Sequence, residues 1–227
     1  MDRYLRYAIY FTAAPGDFAT AGATWLGWDI ARGLAVEQGT IPGIDLPSLT
    51  TKPRKYGFHG TIKAPFRMAE HLSQASFLED LRTFTGQTRP IPGLDMEVTT
   101  LGRFFALTPA GGASTLSKLA SECVTKFDKY RAPMTEEELK KRHRRKLTPR
   151  QSALVDLWGY PFVHEEFRFH MTLTGTAPSE QVPQIAKALN AVFGPPMLHG
   201  ITVDAISLCG ERKDGFFEEI ERLPLQG

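Results

Sequence analysis

The 227-residue sequence has little cysteine. Two residues, Cys123 and Cys209, are too few for a disulfide framework or a Cys-rich zinc site, and both read as small buried hydrophobes. No apolar run reaches the length of a membrane span, and Met1-Asp2-Arg3-Tyr4 lacks the apolar core of a signal peptide. A cytoplasmic protein with no membrane partner is the expectation. Charge of one sign is also missing. The chain has 27 Lys and Arg against 25 Asp and Glu, a net +2, which argues against a protein that coats nucleic acid but leaves room for a local phosphate site. There is no His-x-His or His-Glu-x-x-His pattern, and Asp45, Asp95 and Asp204 are scattered, so no metal site is expected. No Gly-x-x-x-x-Gly-Lys-Ser/Thr loop offers a nucleotide triphosphate site, and no cofactor is expected. Disorder is excluded for most of the chain by 15 Phe, 3 Trp and 6 Tyr.

Two of the six histidines have matching surroundings. One sits in Tyr56-Gly57-Phe58-His59-Gly60-Thr61-Ile62-Lys63, the other in Phe167-Arg168-Phe169-His170-Met171-Thr172-Leu173-Thr174. Both read aromatic, His, any residue, Thr, aliphatic. They stand 111 residues apart, close to half the chain.

Element order repeats with them. The first half reads β-α-β-α-β: a strand at 7–11, a helix at 17–32 stopped by Gly33, the first His strand at 56–66, a helix at 72–84 and extended segments at 96–107. A Gly-, Pro- and Thr-rich loop fills 39–53. The second half shares the strand 103–107 as its start. It continues with an amphipathic helix at 114–130, the second His strand at 166–174, a helix at 179–193 and a hairpin of strands 201–208 and 216–220. One domain spanning 1–227 is expected, built from pseudo-repeat halves at about 1–110 and 103–227, with an insertion at about 135–159. Thr135 with Glu138 and Thr148 with Gln151 read as capping boxes in that insertion.

Side chains alternate along a strand, so His59, Thr61 and Lys63 are expected on one face, and Arg168, His170 and Thr172 on one face of the other. If the two strands face each other across a groove, imidazoles, hydroxyls and cations converge. That set suits a phosphodiester. The hydroxyls of Thr61 and Thr172 donate to non-bridging oxygens, and Lys63 and Arg168 stabilise the charge of the transition state. One imidazole takes a proton while the other gives one.

These strings resemble the 2H phosphoesterases, a family defined by two His-x-Thr/Ser motifs. They are closest to its branch of phosphonate-metabolism proteins (DUF1045-like). Lys55 to Phe66, Trp158-Gly159-Tyr160-Pro161, Phe167 to Gly175, Arg6 to Phe11 and Leu147 to Gln151 carry the resemblance. It implies an α+β, bilobed LigT-like fold with duplicated β-α-β-α-β units and antiparallel sheets flanking a central groove. It also implies His59 and His170 as the catalytic acid and base, Thr61 and Thr172 as phosphate binders, and metal-independent hydrolysis of a cyclic phosphodiester. The expected substrate is a small ribose-containing molecule, such as an intermediate of phosphonate breakdown. Two other readings stand beside it. One is an RNA-end-processing 2′,3′-cyclic phosphodiesterase or 2′-5′ RNA ligase-like enzyme, with RNA as a lower-ranked partner. The other is a phosphate- or nucleotide-binding module without turnover.

Tyr10, on the neighbouring strand, is a further candidate lining residue. Tyr56 alternates onto the apolar face. The basic run Lys140 to Lys146 reads first as a solvated helix face and second as a cationic lid. His71, His143, His164 and His199 receive no role.

Overall fold

The structure, a computed structural model, describes residues 3–144 and 146–227. Strand β1 (Tyr7–Thr12) is buried on both faces, which is why it reads as a near-continuous apolar and aromatic run. Helix α1 (Asp17–Leu26) ends sooner than the periodicity through Arg32 predicts. Gly27 takes φ 78°, the left-handed conformation that closes a helix. Trp28 then turns into the interior, and its indole donates to the carbonyl of Phe217. A small hairpin follows, β2 (Trp28–Asp29) with β3 (Leu34–Ala35). Two short helices, α2 (Leu46–Leu49) and α3 (Thr51–Arg54), occupy the stretch expected to be loop.

Strand β4 (His59–Phe66) carries the first motif. Then come α4 (Gln74–Gly86), β5 (Ile91–Leu94), β6 (Met96–Leu101), β7 (Phe104–Pro109) and α5 (Ser114–Lys126). The insertion forms α6 (Glu136–His143) and α7 (Pro149–Trp158), and both expected capping boxes are present. Strand β8 (Met171–Thr172) holds only the middle of the second motif. The chain closes with α8 (Val182–Val192), α9 (Pro195–Leu198), β9 (Ile201–Val203), β10 (Ala205–Glu211) and β11 (Phe217–Pro224).

The main sheet has the order β11-β10-β1-β4-β8-β7-β6, and every pairing in it is antiparallel. The fold is α+β, as expected. Strands cross between the halves of the sequence. The C-terminal β10–β11 hairpin lies beside β1, and the β6–β7 hairpin lies beside β8.

One face of the sheet is covered by helices. Tyr7, Ile9 and Phe11 of β1 share a core with Leu26 of α1, Phe77 and Leu81 of α4, Leu116 and Leu119 of α5, and Ile185 and Leu189 of α8. Each such side chain contributes roughly 1.5–3 kcal/mol through burial. Ala8 and Tyr10 point the other way, to a smaller cluster with Trp28, Ile30, Cys209 and Phe217. The candidate site lies on that second face.

Candidate functional site

The two motifs meet where β4 pairs with β8, through Gly60 opposite Met171. Directly opposed residues point to the same face, here the core. His59 and Thr61 therefore share the other face with His170 and Thr172. Extending the register sets His59 opposite Thr172 and Thr61 opposite His170. The four side chains form a rectangle with a histidine at two diagonal corners, a diagonal of roughly 7–8 Å between backbone positions. The motif strands lie side by side in one sheet, rather than across a gap from each other. Gly60 is what lets them approach: a Cβ there would fall 2.4 Å from the Phe169 ring.

Each imidazole is held in the same way. Nδ1 of His59 lies 2.9 Å from the carbonyl of Gly57, and Nδ1 of His170 lies 2.8 Å from the carbonyl of Arg168. A carbonyl only accepts, so both Nδ1 atoms carry the proton when the rings are neutral, and Nε2 is left with its lone pair. In His59 that Nε2 sits 3.1 Å from the Thr61 hydroxyl. The Tyr10 ring stacks on His59 with centroids 3.9 Å apart, and Tyr56 lies at 6.2 Å. Phe217 packs behind both tyrosines. Desolvation by this aromatic wall pushes the His59 pKa down to about 4; the Gly57 carbonyl opposes the shift, and His170 adds to it. His59 is neutral at pH 7. His170 is partly exposed, beside Phe104 at 6.2 Å.

A cleft of about 640 Å³ opens over this face. Tyr10, Tyr56, His59, Thr61 and Thr172 line one part of it. Arg6, Arg67, Arg131, Lys141 and Arg142 line the rest, with Glu138 as the one carboxylate in its described wall. A smaller cavity of about 330 Å³ shares Tyr56, His59 and Thr172 and runs toward Phe104, Pro53 and Thr176. The Tyr10 hydroxyl is buried without a hydrogen-bond partner, and burial pushes its pKa well above the ordinary phenol value, so it is a neutral donor. Tyr56 lines both cavities, although simple alternation puts it on the apolar face. Gly57, at φ 71°, breaks the alternation between Tyr56 and the strand.

Two expected phosphate ligands stand elsewhere. Lys63 does not line the cleft. The register of β4 against β1 slips between Thr61, opposite Tyr10, and Lys63, opposite Ile9. This β-bulge turns Lys63 onto the core side with Ile9. It is 4% exposed there, and its Nζ donates to the Val124 carbonyl and to Asp128, both at 3.2 Å. Burial lowers its pKa, with Asp128 opposing. Arg168 is exposed, and its guanidinium turns back to donate to the carbonyls of Glu165 and Phe167. It lines neither cavity.

The sequence reading missed the arginines of the wall. Arg6 had a signal, because it stands just before β1 at even spacing from Tyr10. Arg67 and Arg131 had none, since they follow the bulged strand and a 3₁₀ turn. Each of these arginines is paired bidentately: Arg6 with Glu211, Arg67 with Glu138, Arg131 with Asp128.

The family model described as "Protein of unknown function (DUF1045)" matches residues 61–218. The chain belongs to this family. The DUF1045 match includes Thr61, His170, Thr172 and the whole insertion, and begins two residues after His59. The chain is 41% identical over 231 residues to "Ribose 1,5-bisphosphate phosphokinase PhnN" of Janthinobacterium sp. (strain Marseille), covering 98% of this chain and 51% of the relative. A protein of the same name from Laribacter hongkongensis (strain HLHK9) is 34% identical over 182 residues, covering 79% of this chain and 42% of the relative. The DUF1045 chain thus spans about half the length of the curated relatives it matches, or less. A solved structure titled "Crystal structure of phosphoesterase" is 13% identical, covers 99% of both chains and aligns with a TM-score of 0.45. Among the described residues no helix is long and apolar enough to cross a membrane, and no three His, Cys, Asp or Glu side chains group as a metal site.

Proposed function

We propose that this DUF1045 chain is a phosphoesterase that hydrolyses a cyclic phosphodiester of a small ribose-containing molecule by two-histidine acid–base catalysis. The observation that carries the reading is the diagonal pair of imidazoles on adjoining strands, each with Nδ1 fixed by a carbonyl two residues back and each beside a threonine. His59 is the base: it is neutral, and its Nε2 lone pair is freed when the Thr61 hydroxyl turns from it to the phosphate. It takes a proton from water as the water oxygen bonds to phosphorus. The bond from phosphorus to one ester oxygen of the ring breaks, and His170 delivers the proton to that oxygen. The product is a phosphate monoester and a free hydroxyl. Thr61, Thr172 and Tyr10 donate to the non-bridging oxygens, and the arginines of the wall supply the positive potential in which the charge develops.

Opening a 1,2-cyclic phosphate of ribose yields a ribose phosphate, the class of compound named for the PhnN relatives. The kinase activity in that name belongs, in this reading, to the part of those relatives outside the match, since this chain has no Gly-x-x-x-x-Gly-Lys-Ser/Thr loop.

The test is a panel containing ribose 1,2-cyclic phosphate, 2′,3′-cyclic nucleotides, ADP-ribose cyclic phosphate and short RNA with a cyclic end. It is assayed in EDTA by phosphorus NMR. Hydrolysis of a ribosyl cyclic phosphate to one monoester is expected. Binding without turnover across the panel, or turnover only after zinc or manganese is added, contradicts the proposal.

A further inference from the structure

The cleft is more cationic than one cyclic phosphodiester requires. Such a diester carries a single negative charge, and in the reading above it lies at the His–Thr rectangle beside Tyr10. Of the five cations in the remaining wall, Arg6, Arg67 and Arg131 are each paired with a carboxylate, Glu211, Glu138 and Asp128, and Lys141 and Arg142 add to them. Two of these, Lys141 and Arg142, come from α6, a helix with no buried residue. Nothing in a hydrophobic core therefore explains where α6 sits. Polar ties place it over the cleft. Glu138 forms a bidentate pair with Arg67, whose guanidinium holds the carboxyl down to about 2. His143 meets Asp156 of α7 at 3.0 Å. The Arg142 guanidinium stands 5.3 Å over the Tyr160 ring, and Tyr160 itself lines the cleft. The run read first as a solvated helix face thus contributes two residues to the same cleft as His59.

Resting on the phosphoesterase reading above, we infer that the cleft takes a substrate with two anionic groups. The cyclic phosphodiester lies at the histidines, and a phosphate monoester on the same sugar lies against Lys141 and Arg142, with Arg67 behind them. The substrate class is a cyclic phosphodiester of a sugar phosphate. Planar guanidinium groups with several donors suit a dianionic phosphate. The smaller cavity beyond His59 carries one cation, Lys52, beside Phe104 and Pro53, so the α6 side, with two, is the stronger place for the second anion. Lys141 and Arg142 act on selectivity and have no part in proton transfer.

The experiment compares ribose 1,2-cyclic phosphate with its 5-phosphorylated form, using the full chain and the double variant Lys141→Ala/Arg142→Ala. Both positions lie on a helix without core contacts, so folding is expected to survive; circular dichroism checks it. The wild-type kcat/KM is expected to favour the 5-phosphorylated compound by about 100-fold, mostly through KM, and the double variant to lose at least 10-fold of that preference. Equal kcat/KM for the two compounds, or an equal loss on both in the variant, overturns the second site while leaving the phosphoesterase reading intact. If neither compound is hydrolysed, the phosphoesterase reading fails, and calorimetry with ribose 5-phosphate decides the second site separately. Binding weakened at least 10-fold in the double variant but retained in His59→Ala supports it. Binding unchanged in the double variant overturns it.

Discussion

His59 gains its chemistry from burial. Tyr10, Tyr56 and Phe217 remove water from one side of the imidazole, so its folded pKa falls from 6.5 to about 4. As pH drops, the unfolded chain binds a proton at this position before the folded chain does. Stability present above pH 6.5 is therefore lost between 6.5 and about 4, by up to about 3 kcal/mol. Denaturant unfolding at pH 7 and pH 4.5 is expected to show a smaller loss for His59→Gln than for wild type. The same shift sets the acid limb of kcat/KM near 4, well below that of a solvated histidine. Lys63 is the opposite case, a cation that strand alternation places at the phosphate and a bulge places in the core. Nothing in Gly60-Thr61-Ile62-Lys63 announces the extra residue, since the register slip is decided by the partner strand β1. Lys63→Ala is expected to cost about 2 kcal/mol, less than the removal of a lone buried partner, because Asp128 keeps Arg131. Folded Lys63→Ala should retain turnover within about threefold. A drop of 100-fold in kcat with unchanged melting would restore Lys63 to the phosphate site.

At the scale of elements, local chemistry in the sequence predicted what local chemistry builds. Thr135 and Thr148 cap their helices with Glu138 and Gln151 as read, because a capping box closes within four residues. The helix from Asp17 did not run to Gly33, because Gly27 ends it and Trp28 is pulled inward by long-range contacts. The second His strand was read over nine residues and has two in regular pairing. Phe167–His170 is instead fixed by packing of Phe167 and Phe169, and the strand end by bonds from Trp25 to the Leu173 carbonyl and from Gly175 to Leu49. The close approach of the two motif strands depends on Gly60. Gly60→Ala pushes a methyl group into the Phe169 ring, so a loss of about 1–3 kcal/mol in unfolding free energy is expected. A neutral effect on stability would mean that the strands are less tightly apposed.

Over the whole molecule, the half-length spacing of the motifs was legible and the exchange of strands was not. Hydrophobic pattern puts strands at 201–208 and 216–220, and the hairpin forms from 205–211 and 217–224. The pattern does not say that they will lie beside β1 instead of beside the motif of their own half. Charge follows the same logic. A net charge of +2 says little of place, but the fold brings five cations, three of them paired with carboxylates, to the wall of one cleft. A protein that tracks six to ten phosphates loses about 10³–10⁵ in affinity between about 50 and 200 mM salt. For a cleft that takes one small phosphoester, kcat/KM is expected to fall by less than about 30-fold over that range. A loss above about 10³ would favour an RNA strand as the substrate.

Turnover of a ribosyl 1,2-cyclic phosphate in EDTA, by wild type, His59→Ala and His170→Ala with folding checked on each, tests the two-histidine account most directly. Removal of a general acid or base typically costs about 10²–10⁴ in rate, so each variant is expected to lose at least about 10²-fold in kcat. Either variant turning over at near the wild-type rate, or wild-type activity that EDTA abolishes, would contradict it.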